Sequence, residues 1–113
     1  MAILKVAHLG NPVLRERARE VSPHELRDAE VVRFLDDLVD TMREYEGVGL
    51  AAPQVHRSIR VAAIESWRNA RYPEGPEVPL RVLVNPVVTP LTDEPIEWWE
   101  GCLSIPGLRG RVL

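Results

Sequence analysis

The chain has one cysteine, Cys102, and one lysine, Lys5. A single cysteine excludes an internal disulfide, and a free thiol fits a reducing compartment, so the expected location is cytoplasmic. No apolar run approaches the ~20 residues that a membrane-spanning helix needs. The opening Met1-Ala2-Ile3-Leu4-Lys5-Val6 has neither the charged leader and long apolar stretch of a secretory signal nor an Arg/Ser-rich amphipathic leader. The protein is therefore expected to start directly with its fold. The arginines are scattered and the net charge is -3 with a pI near 5.6, so no basic stripe exists. That argues against binding to duplex or single-stranded nucleic acid. Internal repeats and long linkers are also missing.

What remains is an ordinary globular composition. The 113 residues are 45% hydrophobic and 27% charged, enough apolar material for one core and one domain over residues 1–113. Asn11-Pro12 signals a turn, with a short helix expected over Val13–Arg19. Ser22-Pro23-His24-Glu25 has the form of a capping box. Val31, Leu35, Leu38, Met42 and Tyr45 recur at helical spacing, with Val39 widening the stripe, which predicts an amphipathic helix over about 28–46 stopped by a left-handed Gly47. Extended segments are expected over Ile59–Glu65, Leu80–Val84, Val87–Leu91 (edge-like, between prolines) and Ile96–Leu103. Residues 67–79 read as an excursion or hairpin loop. In the last strand Ile96, Trp98, Glu100 and Cys102 share a face, while Trp98 and Trp99 point opposite ways, one to the core and one to the rim. One helix followed by antiparallel strands predicts an α+β fold. The closing Leu108–Leu113 looks like a strand that begins or continues, and nothing covers the apolar helix stripe. The expectation is a piece of a longer fold.

Two segments could carry chemistry. Gly47-Val48-Gly49-Leu50-Ala51-Ala52-Pro53-Gln54 reads, taken alone, as a helix stop and a connecting loop; yet Gln54 ends a run of small residues with a neutral amide that could face a pocket without crowding. A neutral amide donor suits a developing oxyanion in a site that already holds a cation. Glu100-Gly101-Cys102-Leu103-Ser104 carries the cysteine. Cys102 can be read as a small buried hydrophobe, as a nucleophile that needs a histidine partner, or as a thiolate metal ligand whose neighbouring glycine lets backbone approach. Glu46 and Glu100 could orient a ligand or could be solvated carboxylates. Arg109 could meet a carboxylate of a part beyond this sequence.

In this order and at this separation, GVGLAAPQ and EGCLS resemble two of the three sequence blocks of peptide deformylases. The opening Leu4-Lys5-Val6 and His8-Leu9-Gly10-Asn11-Pro12-Val13-Leu14-Arg15 also look like that family's amino-terminal segment, so the resemblance spans the chain. It implies a metallohydrolase that removes the formyl group from N-formylmethionyl nascent chains at the ribosome and releases formate. The implied cofactor is Fe2+, or another divalent metal such as Zn2+ or Ni2+, held by one cysteine and two histidines. Carried over by position, Cys102 would be the thiolate ligand, and Gln54 and the backbone N–H of Leu103 would stabilise the oxyanion. Val48, Gly49 and Gly101 would line a cleft in which the peptide lies as an added strand. Val48 and Leu103 would wall a pocket for the methionine side chain.

The third block of the family, a helical His-Glu-x-x-His, is absent. A single thiolate cannot hold iron or zinc at useful affinity. The expectation is a deformylase-like fold lacking its C-terminal metal-binding helix, not binding metal tightly and inactive as 113 residues. The alternative is a non-catalytic deformylase-like module that binds a peptide or a partner in the same cleft. No membrane partner is expected.

Overall fold

The strongest apolar stripe in the sequence becomes the longest element. In the computed structural model, which describes residues 2–68 and 73–113, helix α1 spans Ala29–Glu44. The middle of the excursion expected over residues 67–79, at 69–72, lies outside the described residues, as does Met1. Helix α1 buries Val31, Phe34, Leu38, Val39, Thr41 and Met42. The stripe is therefore rotated from the expected one. Phe34 joins it, and Tyr45, which lies past the last helical turn, is 48% exposed. The Arg57 guanidinium covers the Phe34 ring at 4.6 Å. Thr41 is buried because both sides of its hydroxyl are used. It donates to the Asp37 carbonyl at 2.7 Å and accepts the Leu4 N–H at 2.8 Å, tying the amino-terminal segment to the helix.

The helix ends one residue earlier than the glycine suggests. Glu46, with φ 54°, takes the left-handed position, not Gly47. The N–H of Glu46 bonds to the Arg43 carbonyl at 3.0 Å and that of Gly47 to the Met42 carbonyl at 2.9 Å, which is a Schellman closure. Gly47 serves a different purpose. A Cβ there would lie 2.9 Å from Leu103 Cδ1, so the missing side chain admits the second candidate segment. The capping box forms, with Ser22 N–H to Glu25 Oε1 at 3.1 Å and Glu25 N–H to Ser22 Oγ at 3.2 Å. It opens only the short 3-10 turn Glu25–Arg27. The helix expected over 13–19 is likewise reduced to a 3-10 turn, Pro12–Leu14.

Strands β1 (Gly49–Ala51), β2 (Val61–Ser66) and β3 (Val78–Val84) form an antiparallel sheet in that order. Strands β4 (Trp98–Cys102) and β5 (Ile105–Val112) form a separate antiparallel hairpin. One long helix with antiparallel strands is the α+β arrangement expected. No strand forms over Val87–Leu91, where Val87, Val88 and Leu91 are exposed and prolines remove ladder donors. Trp98 and Trp99 are both exposed, against the expectation that one would enter the core, because the described residues lay no layer on either face of the hairpin. The core lies between α1, β1, β2 and the turn after β1, and contains Leu38, Met42, Leu50, Ala52, Val55, Val61 and Ala63. Among the described residues no helix is long and apolar enough to cross a membrane.

Strand β2 alternates buried and half-buried positions, and one buried position is an acid. Glu65 is 5% exposed and is held by a two-pronged bond from Arg43, at 2.8 and 2.9 Å. The Arg43 hydrogen bond, more than its charge, holds the Glu65 carboxyl below its ordinary value, against the opposing pull of burial. A folded-state value below the unfolded one means that the unfolded chain binds more protons as pH falls. This contribution to stability is therefore complete above the ordinary carboxylate range and is lost as pH falls through the lowered value. Urea unfolding from pH 7 downward should show wild-type stability falling below about pH 5 more steeply than that of Glu65→Gln. Parallel pH profiles for the two proteins would refute the role given to this pair.

Candidate functional site

The first candidate segment leaves α1 at Glu46, runs through β1 and enters a 3-10 turn, Ala52–Val55, with Pro53 near its start. His56, left-handed at φ 67°, closes the turn. This turn folds the Gln54 side chain back over β1, where its Oε1 accepts the Ala51 N–H at 2.9 Å. The second segment forms the end of β4 and the tight connection to β5. The hairpin register shifts there, with Gly101 opposite Arg109 but Cys102 opposite Ile105. Cys102 is exposed, as are all five residues of β4.

The two segments, 48 residues apart in sequence, meet at two points. Gln54 Nε2 lies 3.5 Å from Cys102 Sγ and donates to Ser104 Oγ at 3.1 Å. Leu103 packs its side chain against Gly47. Gln54 thus meets Cys102 and Ser104, while Leu103 meets Gly47. Between the two junctions the first segment presents Val48, 55% exposed, and the half-buried Gly49. Gly101, on the second, is exposed. Val48 is anchored from behind, its carbonyl accepting the Glu65 N–H at 3.0 Å. The amino-terminal segment straps the site together: Ala7 N–H bonds to the Gln54 carbonyl at 2.7 Å and Leu9 N–H to the Ser104 carbonyl at 2.8 Å.

Two of the three readings of Cys102 lose ground. The side chain is exposed, so it is not a buried hydrophobe. Among the described residues its polar contact is the Gln54 amide, and no histidine bonds to it, as activation of a nucleophile would require. Glu46 and Glu100 are both exposed, and Glu100 stands opposite Gly110 across the hairpin. Against the metal that the resemblance implies, the donor set is short. His8, His24 and His56 are exposed, and among the described residues no group of three or more His, Cys, Asp or Glu could hold an ion. Cys102 is a lone donor, and these residues do not by themselves fit a metal centre. Ser104 had no role in the sequence reading, although the i, i+2 spacing from Cys102 was a signal that could have found it.

A family model described as polypeptide deformylase matches residues 3–113. Peptide deformylase of Leptospira biflexa is 42% identical over 113 residues, covering 99% of this chain and 63% of the relative. Peptide deformylase 1 of Bordetella pertussis is 47% identical over 112 residues, covering 98% of this chain and 60% of the relative. The chain thus spans about 60% of the length of the curated relatives it matches. Among solved structures, the Met-Ala-Ser-bound class I type b peptide deformylase from Acinetobacter baumannii aligns with a TM-score of 0.91 at 41% identity. That alignment covers 98% of this chain and 70% of the other. Peptide deformylase from Thermotoga maritima aligns with a TM-score of 0.78 at 28% identity, covering 99% and 67%.

Proposed function

Because this chain belongs to the polypeptide deformylase family, we propose that it supplies the peptide-binding and oxyanion-stabilising part of a hydrolase site. The proposed substrates are N-formylmethionyl chains leaving the ribosome in the cytoplasm, and the product released is formate. The observation that carries the reading is the approach of the Gln54 amide to the Cys102 sulfur, 3.5 Å across 48 residues of sequence. Family hydrolysis is metal-dependent; Cys102 would be this chain's ligand to the ion, and among the described residues no group of three or more His, Cys, Asp or Glu could hold it.

The roles follow from the chemistry of each group. When water adds to the formyl carbon, the carbonyl oxygen gains negative charge. A Gln54 N–H and the Leu103 backbone N–H would meet that oxygen as fixed donors. The peptide would lie extended beside Val48 and Gly49 on one side and Gly101 on the other, bonding through its main chain, which tolerates many sequences. Val48 and Leu103 would wall the pocket for the first side chain. In support, a relative in this family was solved with Met-Ala-Ser bound.

The binding half of the reading can be tested on the chain alone. Titrating the 15N-labelled protein with Met-Ala-Ser should shift the backbone amides of Val48, Gly49, Gly101 and Leu103, and leave those of β3 in place. No shifts, or shifts centred on α1 or β3, would remove the assignment.

A further inference from the structure

We infer that Ser104 is a positioning residue, whose hydroxyl holds the Gln54 carboxamide so that one N–H is aimed at the Cys102 sulfur. This rests on the proposed function, which gives that N–H its use. A primary amide has an accepting oxygen with two lone pairs and a nitrogen with two donor hydrogens, all four directions lying in one plane. The Gln54 oxygen is settled by the Ala51 N–H at 2.9 Å, a group that can only donate. Turning the amide over would set an NH2 against that N–H, with no bond and a like-polarity clash. The nitrogen then has two hydrogens to place. One is taken by Ser104 Oγ at 3.1 Å, and the other is left facing Cys102 Sγ at 3.5 Å.

Ser104 suits this work because it is itself fixed. It is 4% exposed, so water does not readily replace its hydroxyl. Its carbonyl accepts from Leu9 and that of Gln54 from Ala7, so one three-residue strap sets the spacing of the two residues across 50 positions of sequence. With the hydroxyl removed, the amide keeps its bond to Ala51 but loses the contact that fixes its torsion. The reactive N–H is then no longer held in advance of the charge it must meet, and that pre-arrangement is what gives such donors their value.

Gln54 is the only glutamine in the chain, so glutamine-selective 15N labelling reports on this amide alone. In the wild-type protein its NH2 should relax like rigid backbone, with an order parameter near ~0.85. Ser104→Ala and Ser104→Cys should lower that value below about 0.6 and speed hydrogen exchange at the same NH2 about tenfold. Ser104→Thr, which keeps the hydroxyl, should restore both. Ser104→Cys fills the space of the hydroxyl with a much weaker acceptor and so guards against a loss of packing being read as a loss of the bond. An amide as rigid in a folded Ser104→Ala or Ser104→Cys protein as in the wild type would overturn the inference, as would a mobile amide in Ser104→Thr. Because the readout is the motion of one amide and not turnover, its failure is separate from any failure of the hydrolase reading.

Discussion

Gln54→Ala is expected to lower kcat on an N-formylmethionyl peptide by roughly 100- to 1,000-fold, or about 2.7–4 kcal/mol of transition-state stabilisation. The protein for this measurement is a chimera that joins the present chain to the part of the Leptospira biflexa relative lying outside the match. KM should change little. In the ground state the formyl oxygen is a neutral carbonyl and the amide gains little from it; as water adds, the oxygen becomes anionic and the same N–H becomes far more valuable. A residue whose interaction strengthens only as charge develops shows its loss in kcat. The truncation also leaves the Ala51 N–H and the buried Ser104 hydroxyl without their present partner, at a cost of about 1–3 kcal/mol each if water cannot reach them. Circular dichroism and metal content should therefore be matched before rates are compared. Gln54→Glu separates the two effects, since a carboxylate can still accept from Ala51 but presents negative charge to the oxyanion. Its kcat should be at least as low as that of Gln54→Ala, with a smaller loss of stability. A kcat within fivefold of wild type in a folded, metal-loaded Gln54→Ala chimera would sink the oxyanion role.

Much of this geometry was readable because it rests on local rules. Helix α1 was expected over about 28–46 and spans Ala29–Glu44, since five apolar positions at helical spacing leave few alternatives. The Ser22–Glu25 capping box formed with both of its bonds. What the helix packs against was not local. Phe34 packs into the core cluster with Arg57, 23 positions later, over its ring, and Thr41 is buried with Leu4 supplying a donor for it. Periodicity scores each residue on its own helix and is blind to partners of this kind. Glu46 and Gly47 exchange expected roles for the same reason. The absence of a Cβ at 47 is used for contact with Leu103, a residue more than fifty positions away, and the left-handed angle falls to the glutamate.

The candidate site was legible as two segments but not as a mechanism of assembly. Strand β1 has three residues, too few for alternation to register, so residues 47–54 read as turn and loop alone. Yet β1 and the 3-10 turn after it bring Gln54 back over its own backbone, where Ala51 fixes the amide. The strap from Ala7 and Leu9 was hidden as well, because main-chain bonds carry no residue signature. The extended reading of Val87–Leu91 failed in the opposite way: β-branched composition was present, but Pro86 and Pro90 withhold the N–H groups that a ladder requires.

Strand β1 is seated on the core by Leu50, so Leu50→Ala should cost about 2–5 kcal/mol of folding free energy, the range for truncating a buried leucine. Leu50 is 2% exposed and lies in the same core cluster as Leu38, Met42, Ala52 and Val55. Strand alternation sends its side chain to the core side of β1 and those of its neighbours to the other face. Of the three residues of β1, Leu50 alone is buried, so it is what seats the strand against α1. A domain of this size has only about 5–15 kcal/mol of net stability, so the loss is a large share of the total. Urea denaturation gives the number directly. Val48→Ala is the internal comparison, because that side chain is 55% exposed two residues away and should cost under about 0.5 kcal/mol. The two variants should also part on peptide binding. Val48→Ala should weaken Met-Ala-Ser binding with stability intact, whereas Leu50→Ala should weaken it only to the extent that β1 loosens, seen as faster hydrogen exchange at Gly49 and Ala51. If Leu50→Ala costs no more than Val48→Ala, β1 is not held by the core in the way its burial implies, and the cleft wall must be fixed by the β2 ladder alone.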